Sequence, residues 1–282
     1  MKKLTLALVV PALMAASSWA NAANILVVLS DSNSLQLRDG KTHATGFYLN
    51  ELMQPVKMML DSGDTVTFVT PEGKAPTMDK LSADAKDFGG SQKELDIHLQ
   101  LLNKLQLTDP QKSPVISLPR VEQIGYQHFD ALFVPGGHAP MQDLSVSPAL
   151  GKLLRAFHKA GKPTALVCHG PVALISALPE ADDFTQKLTA NSSATAAGWI
   201  YSGYRMTSFS NPEEEQSKAI FNGGIMKFTP QDALVGAGAK FEMAPLWQSH
   251  VVVDRELITG QNPASAIAVG KSLLSMLAKE SK

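Results

Sequence analysis

The only cysteine in 282 residues is followed at once by a histidine, a glycine and a proline. Cys168-His169-Gly170-Pro171 ends the short apolar run that begins at Pro163 and opens a helical pattern from Val172 to Leu178. Strand, tight turn, helix is the implied local order. Pro171 suits a first helical turn, where its missing N–H would have had no partner, and Gly170 permits a turn too crowded for a Cβ. A thiol at a strand's C-terminal end would face unpaired helix N–H groups and the positive end of the dipole, both of which favour thiolate. That is the thiol counterpart of the nucleophile elbow of serine hydrolases. The plain alternative is a buried, inert thiol, the usual fate of a lone cysteine.

The compartment bears on this choice. Lys2 and Lys3 precede an apolar stretch from Leu4 to Ala16, and Ala20-Asn21-Ala22 has the small residues of a cleavage site. Residues 1–22 therefore read as a signal peptide, too short and too interrupted by Pro11 for a membrane span. A periplasmic or secreted chain starting near Ala23 is expected, with no membrane association after cleavage. Oxidising compartments favour paired cysteines, so a single thiol there is either out of reach or kept for its reactivity. One cysteine excludes Cys-rich zinc sites and iron–sulfur clusters. A net charge of −1, with 18% charged residues, gives no electrostatic case for a nucleic-acid partner.

Short β-branched runs alternate with helical spacing along the rest of the chain. Asn24–Ser30, Thr65–Thr70, Phe129–Val134 and the run into Cys168 read as buried strands. Helical spacing covers Thr45–Leu60, with a kink or start near Pro55, as well as Gln92–Leu105, Leu144–Ala160 with Gly161 as C-cap, and Ala264–Lys279. Asp31–His43 and most of 74–125 read as loop, and the pattern loosens through 180–200. Tyr204–Phe209 has strand character. Ser210 or Asn211 can cap a short helix carrying Glu213, Glu214 and Glu215 in its first turn. Another short helix begins at Asp232, and 250–259 reads as a hairpin turning at Asp254-Arg255. Alternation of this kind predicts one α/β domain over 23–282, a mostly parallel sheet with helices on both faces. Ligands collect at the C-terminal ends of such strands, where Glu51, Gly137 and Cys168 fall.

Five segments together carry a family signature: Gly46…Glu51…Pro55, Asp130 through Pro135-Gly136-Gly137-His138, Val167-Cys168-His169-Gly170-Pro171, Thr207-x-Phe209-x-Asn211-x-Glu213-Glu214, and Leu257 through Ala264. The chain resembles the DJ-1/PfpI superfamily, in its heat-shock-protein-31 type, also described as class I glutamine amidotransferase-like. The resemblance implies a flavodoxin-like three-layer sandwich with Cys168 as nucleophile and His169 beside it. It further implies Glu51 as the acid near the thiol, Glu214 as the acid orienting the histidine (Glu213 is the neighbour a one-residue slip would choose), and backbone N–H groups of Gly137 and His169 as an oxyanion hole.

That carry-over implies a glutathione-independent glyoxalase of the glyoxalase III type. The thiol would add to methylglyoxal, a base at His169 or Glu51 would move the proton on the α-carbon, and hydrolysis would release lactate. A small aldehyde is the expected partner and a homodimer the assembly that relatives suggest. A stress-related holdase independent of Cys168 and a cysteine oxidation sensor are the competing readings. Amidotransferase chemistry is disfavoured, since the chain lacks an ammonia-accepting domain. Without the resemblance, Glu51 reads as a solvated helix residue and Glu213–Glu215 as a helix start. His138 reads as structural, His43 and His250 carry no role, and neither a metal site nor a cofactor is inferred.

Overall fold

The computed structural model describes residues 22–194 and 196–280. The expected signal peptide lies outside the described residues, apart from Ala22. Seven strands form the central sheet: β1 (Asn24–Val28), β4 (Thr65–Thr70), β5 (Ile116–Ser117), β6 (Ala131–Val134), β7 (Thr164–Val167), β10 (Val251–Asp254) and β11 (Leu257–Gly260). Their order is β10-β11-β7-β6-β1-β4-β5. Every pairing is parallel except β10 with β11. Two small pairs lie outside it: β2 (Ser34–Gln36) with β3 (Thr42–Ala44), antiparallel, and β8 (Arg205–Met206) with β9 (Lys240–Phe241), parallel.

Strand β1 shows why the sheet needs cover on both sides. Ile25 and Val27 point into one apolar layer with α1 (Leu49–Asp61), α2 (Gln92–Leu105) and α8 (Ala266–Glu280). Leu26 and Val28 point into the other, with α3 (Leu118–Ile124), α4 (Pro148–Ala160) and α7 (Pro230–Gly236). Alternation within an unbroken apolar run is the mark of a strand buried on both faces. The α/β three-layer sandwich follows, and no helix among the described residues is long and apolar enough to cross a membrane.

Several local expectations change. Leu144–Ala160 is not one helix: a 3-10 turn at Leu144–Val146 ends at Ser147, whose hydroxyl caps α4 at Leu150 N–H, with Pro148 opening the new helix. The first helix starts at Leu49, six residues before Pro55, which sits inside it. The segment after Cys168 is a 3-10 helix, Gly170–Ala177, buried on all sides. The stretches read as loop contain β2–β3, β5 and α3, and the loosened 180–200 region holds α5 (Ala181–Thr189). Only two residues of 204–209 pair as strand. Gly161 caps α4 at φ 65°, and the 250–259 hairpin turns at Arg255, φ 57°.

Candidate active site

Cys168 stands where β7 ends, at φ +62°, a left-handed conformation that non-glycine residues seldom adopt. Three contacts hold it there. Its N–H donates to Gly260 O at 2.9 Å, its carbonyl accepts from Phe209 N–H at 2.7 Å, and Gly170 lies so close to the β6 terminus that a Cβ would meet Val134 O at 2.6 Å. Backbone strain of about 1–3 kcal/mol is kept only where the surroundings over-determine it. The elbow is therefore present, and Gly170 has the role its position implied.

The side chains converge. His169 Nδ1 lies 3.2 Å from Cys168 Sγ, and its Nε2 lies 2.8 Å from Glu214 Oε1. Burial drives the His169 imidazole down to about 3, so it is neutral, and burial raises Glu214 to about 7. A neutral ring with its Nε2–H turned to the carboxylate presents the Nδ1 lone pair to the sulfur. That contact is a hydrogen bond between a neutral ring and a carboxyl rather than an ion pair. Phe209 stacks on the other side of His169, centroids 4.7 Å apart.

Glu213 faces elsewhere. Fully buried, it accepts from Ser210 N–H and Oγ–H, from Trp247 N–H, and from the side-chain amides of Gln261 and Asn262. It is thus the N3 member of the capping box of α6 (Asn211–Ser217), and it ties that helix to the two loops flanking β10–β11. The sequence shows the capping pattern but not its partners, which lie 34 to 49 residues away.

On the opposite side of the sulfur, Glu51 in the first turn of α1 is wholly buried, its Oε2 accepting Gly136 N–H at 2.9 Å. The carboxyl faces the thiol, and each disturbs the other. Burial first, then the charges of Glu51 and Glu214, push Cys168 well above the ordinary thiol range, although the His169 N–H acts in the opposite direction. This corrects the expectation of a stabilised thiolate: a buried 3-10 segment beside two carboxyls does not act as an open helix N-terminus. Gly137, at φ +87°, turns with its N–H unmatched by any acceptor among the described residues, close by the elbow.

Burial also raises Glu51 itself to about 8. An unfolded chain releases that proton near the ordinary carboxyl value of 4.5 while the folded chain keeps it, so stability falls as pH rises through this window. Glu51→Gln removes the effect. Its melting temperature is expected to gain several degrees on wild type between pH 5 and 8 and no more beyond, read by thermal melts across a pH series. Parallel curves would mean that Glu51 is ionised throughout.

The sequence model of the DJ-1/PfpI family matches residues 42–276. A probable glutathione-independent glyoxalase of Schizosaccharomyces pombe, hsp3103, is 29% identical over 275 residues, covering 92% of this chain and 99% of the relative. The glutathione-independent glyoxalase HSP31 of Saccharomyces cerevisiae is 27% identical over 248 residues, 86% of this chain and 92% of its own. Glyoxalase III from Candida albicans superposes with a TM-score of 0.63 at 18% identity, covering 90% of this chain and 96% of that one, a likeness of fold.

Proposed function

The chain belongs to the DJ-1/PfpI family, and from that premise we propose that it is a cysteine-dependent enzyme acting on small reactive carbonyls, converting methylglyoxal to lactate without glutathione. The observation that carries the reading is the Cys168–His169–Glu214 chain of contacts, 3.2 and 2.8 Å long. His169 Nδ1 takes the thiol proton as sulfur adds to the aldehyde carbon, giving a hemithioacetal. The Gly137 and His169 N–H groups stabilise the oxygen that gains charge in this step. The ionised form of Glu51, the minority below about pH 8, takes the proton from the former aldehyde carbon and returns one to the neighbouring carbon, leaving a thioester of 2-hydroxypropanoate. Water then cleaves the sulfur–carbon bond, releasing lactate and the thiol. Oxidation of one carbon is matched by reduction of its neighbour, so no external oxidant is needed. The names of the two yeast relatives support the same substrate class. The signal peptide expected over residues 1–22 supports a periplasmic or secreted site for this chemistry.

The test is lactate release from methylglyoxal in buffer free of glutathione, using protein purified from cells expressing the full chain. One lactate per methylglyoxal consumed is expected; consumption without lactate would overturn the glyoxalase reading. Glu51 beside the sulfur favours a second reading, peroxide oxidation of Cys168 to a sulfinic acid held by that carboxyl. Mass spectrometry showing a gain of two oxygens at Cys168 under mild peroxide, absent in Glu51→Ala, would support it.

A further inference from the structure

Next to the triad is a group of side chains that the proposed reaction leaves unused. His138 follows Gly137 directly, is 7% exposed, and neither of its ring nitrogens has a hydrogen-bond partner among the described residues. His43, on β3, likewise has an unpartnered buried Nε2. Asp79 completes the group, and one ligand atom from each of the three residues lies within 4.8 Å of the others. Buried imidazole nitrogens without partners cost stability unless something engages them.

We propose that His43, Asp79 and His138 form a binding site for a divalent first-row transition cation. Two imidazoles and one carboxylate are the donor set that zinc and its neighbours take, with a coordination position left over. A single ion would engage an otherwise idle nitrogen on each histidine. The carboxylate is already aimed: Thr45 Oγ1–H donates to Asp79 Oδ2 at 2.8 Å, and Leu81 N–H donates to Oδ1 at 2.9 Å. Hydrogen bonds of this kind hold ligands in metal sites. The two loops are also joined, since Phe47 N–H donates to Thr77 O and Asp79 N–H to Phe47 O, both at 2.9 Å. Coordination at ~2.1 Å brings ligand atoms to about 3.4 Å apart, and rotation of the half-buried His43 supplies the contraction. Phe221 makes edge-to-face contacts with both imidazoles, centroids 5.0 and 5.2 Å away. His138 also falls in a group with His169 and Glu214, whose Oε2 is unpartnered. A bound ion would therefore lie one side chain away from the triad.

This inference does not depend on the glyoxalase reading, because its test measures binding and not turnover. Chelator-stripped protein, purified from cells expressing the full chain, is titrated with zinc chloride by calorimetry. One equivalent per chain is expected, weakened at least about tenfold by His43→Gln and by Asp79→Asn and unchanged in Cys168→Ser. Absence of binding by wild type would overturn the site, as would equal affinity in the His43 and Asp79 variants. Loss in Cys168→Ser with retention in the other two would place the ion on the thiol and equally overturn it. Melting without zinc establishes that each variant folds. Zinc is expected to raise the melting temperature of wild type and Cys168→Ser but not of His43→Gln.

Discussion

Cys168→Ala is expected to lower lactate formation from methylglyoxal at least about a thousandfold while leaving the fold in place. Losing the nucleophile of a triad removes the bonded intermediate altogether, and the remaining positioning and charge stabilisation account for only a small residue of catalysis. The structural cost is small. Alanine keeps the Cβ, and the elbow is fixed by backbone contacts from Gly260 and Phe209 that do not involve sulfur. One heavy atom is lost from a buried site, worth about 1 kcal/mol, and the unfavourable crowding of thiol and carboxyls disappears with it. Steady-state rates with matched thermal melts check both halves. Residual activity above a few per cent of wild type would place the nucleophile elsewhere and end the cysteine-dependent reading, whereas aggregation suppression shared equally by wild type and variant would favour a holdase.

Glu213→Ala is expected to be the most damaging single change to stability, by about 3–5 kcal/mol, the range seen when one member of a buried charged network is removed. Four residues would each lose an acceptor: Ser210, Trp247, Gln261 and Asn262. In a domain of this size such a loss lowers the melting temperature by roughly 10 °C. Turnover should fall too, because Glu214 is carried by the same helix turn. Denaturant unfolding monitored by circular dichroism checks the first effect. A loss below 1 kcal/mol would show that the network is dispensable and that α6 is held by other contacts.

What the sequence discloses depends on how local the cause is. Asn24–Val28 is legible because a strand buried on both faces requires an apolar run, and the run is there to read; Thr65–Thr70 is legible from its β-branched and aromatic residues. The elbow is legible because crowding imposes Gly170 and helix geometry tolerates Pro171. Hairpin β2–β3 is not: strands of three residues with polar sequence carry too little periodicity. Helix α5 lies hidden for a related reason, since only Ala181, Phe184 and Thr185 of its nine residues are buried. The site divides along the same line. The adjacency of Cys168 and His169 is written in the chain, whereas Glu51 beside the thiol and Glu214 on His169 come from 117 and 46 residues away from Cys168 and needed the family resemblance to be named. The protonation of Cys168 could not be read at all, because it arises from burial and from Glu51, which only the folded chain brings together.

The elevated thiol also bears on how a solitary cysteine would fare in an oxidising compartment. Exchange with disulfides proceeds through the thiolate, and each unit by which a thiol is raised leaves about tenfold less of it. Cys168 at rest is thus a poor trap for oxidised glutathione or for a neighbouring protein's disulfide, even where such species abound. In the proposed reaction it becomes a nucleophile when an electrophile small enough to reach a residue only 3% exposed arrives and His169 accepts the proton. Silence toward large oxidants and reactivity toward small carbonyls would then be two results of one act of burial.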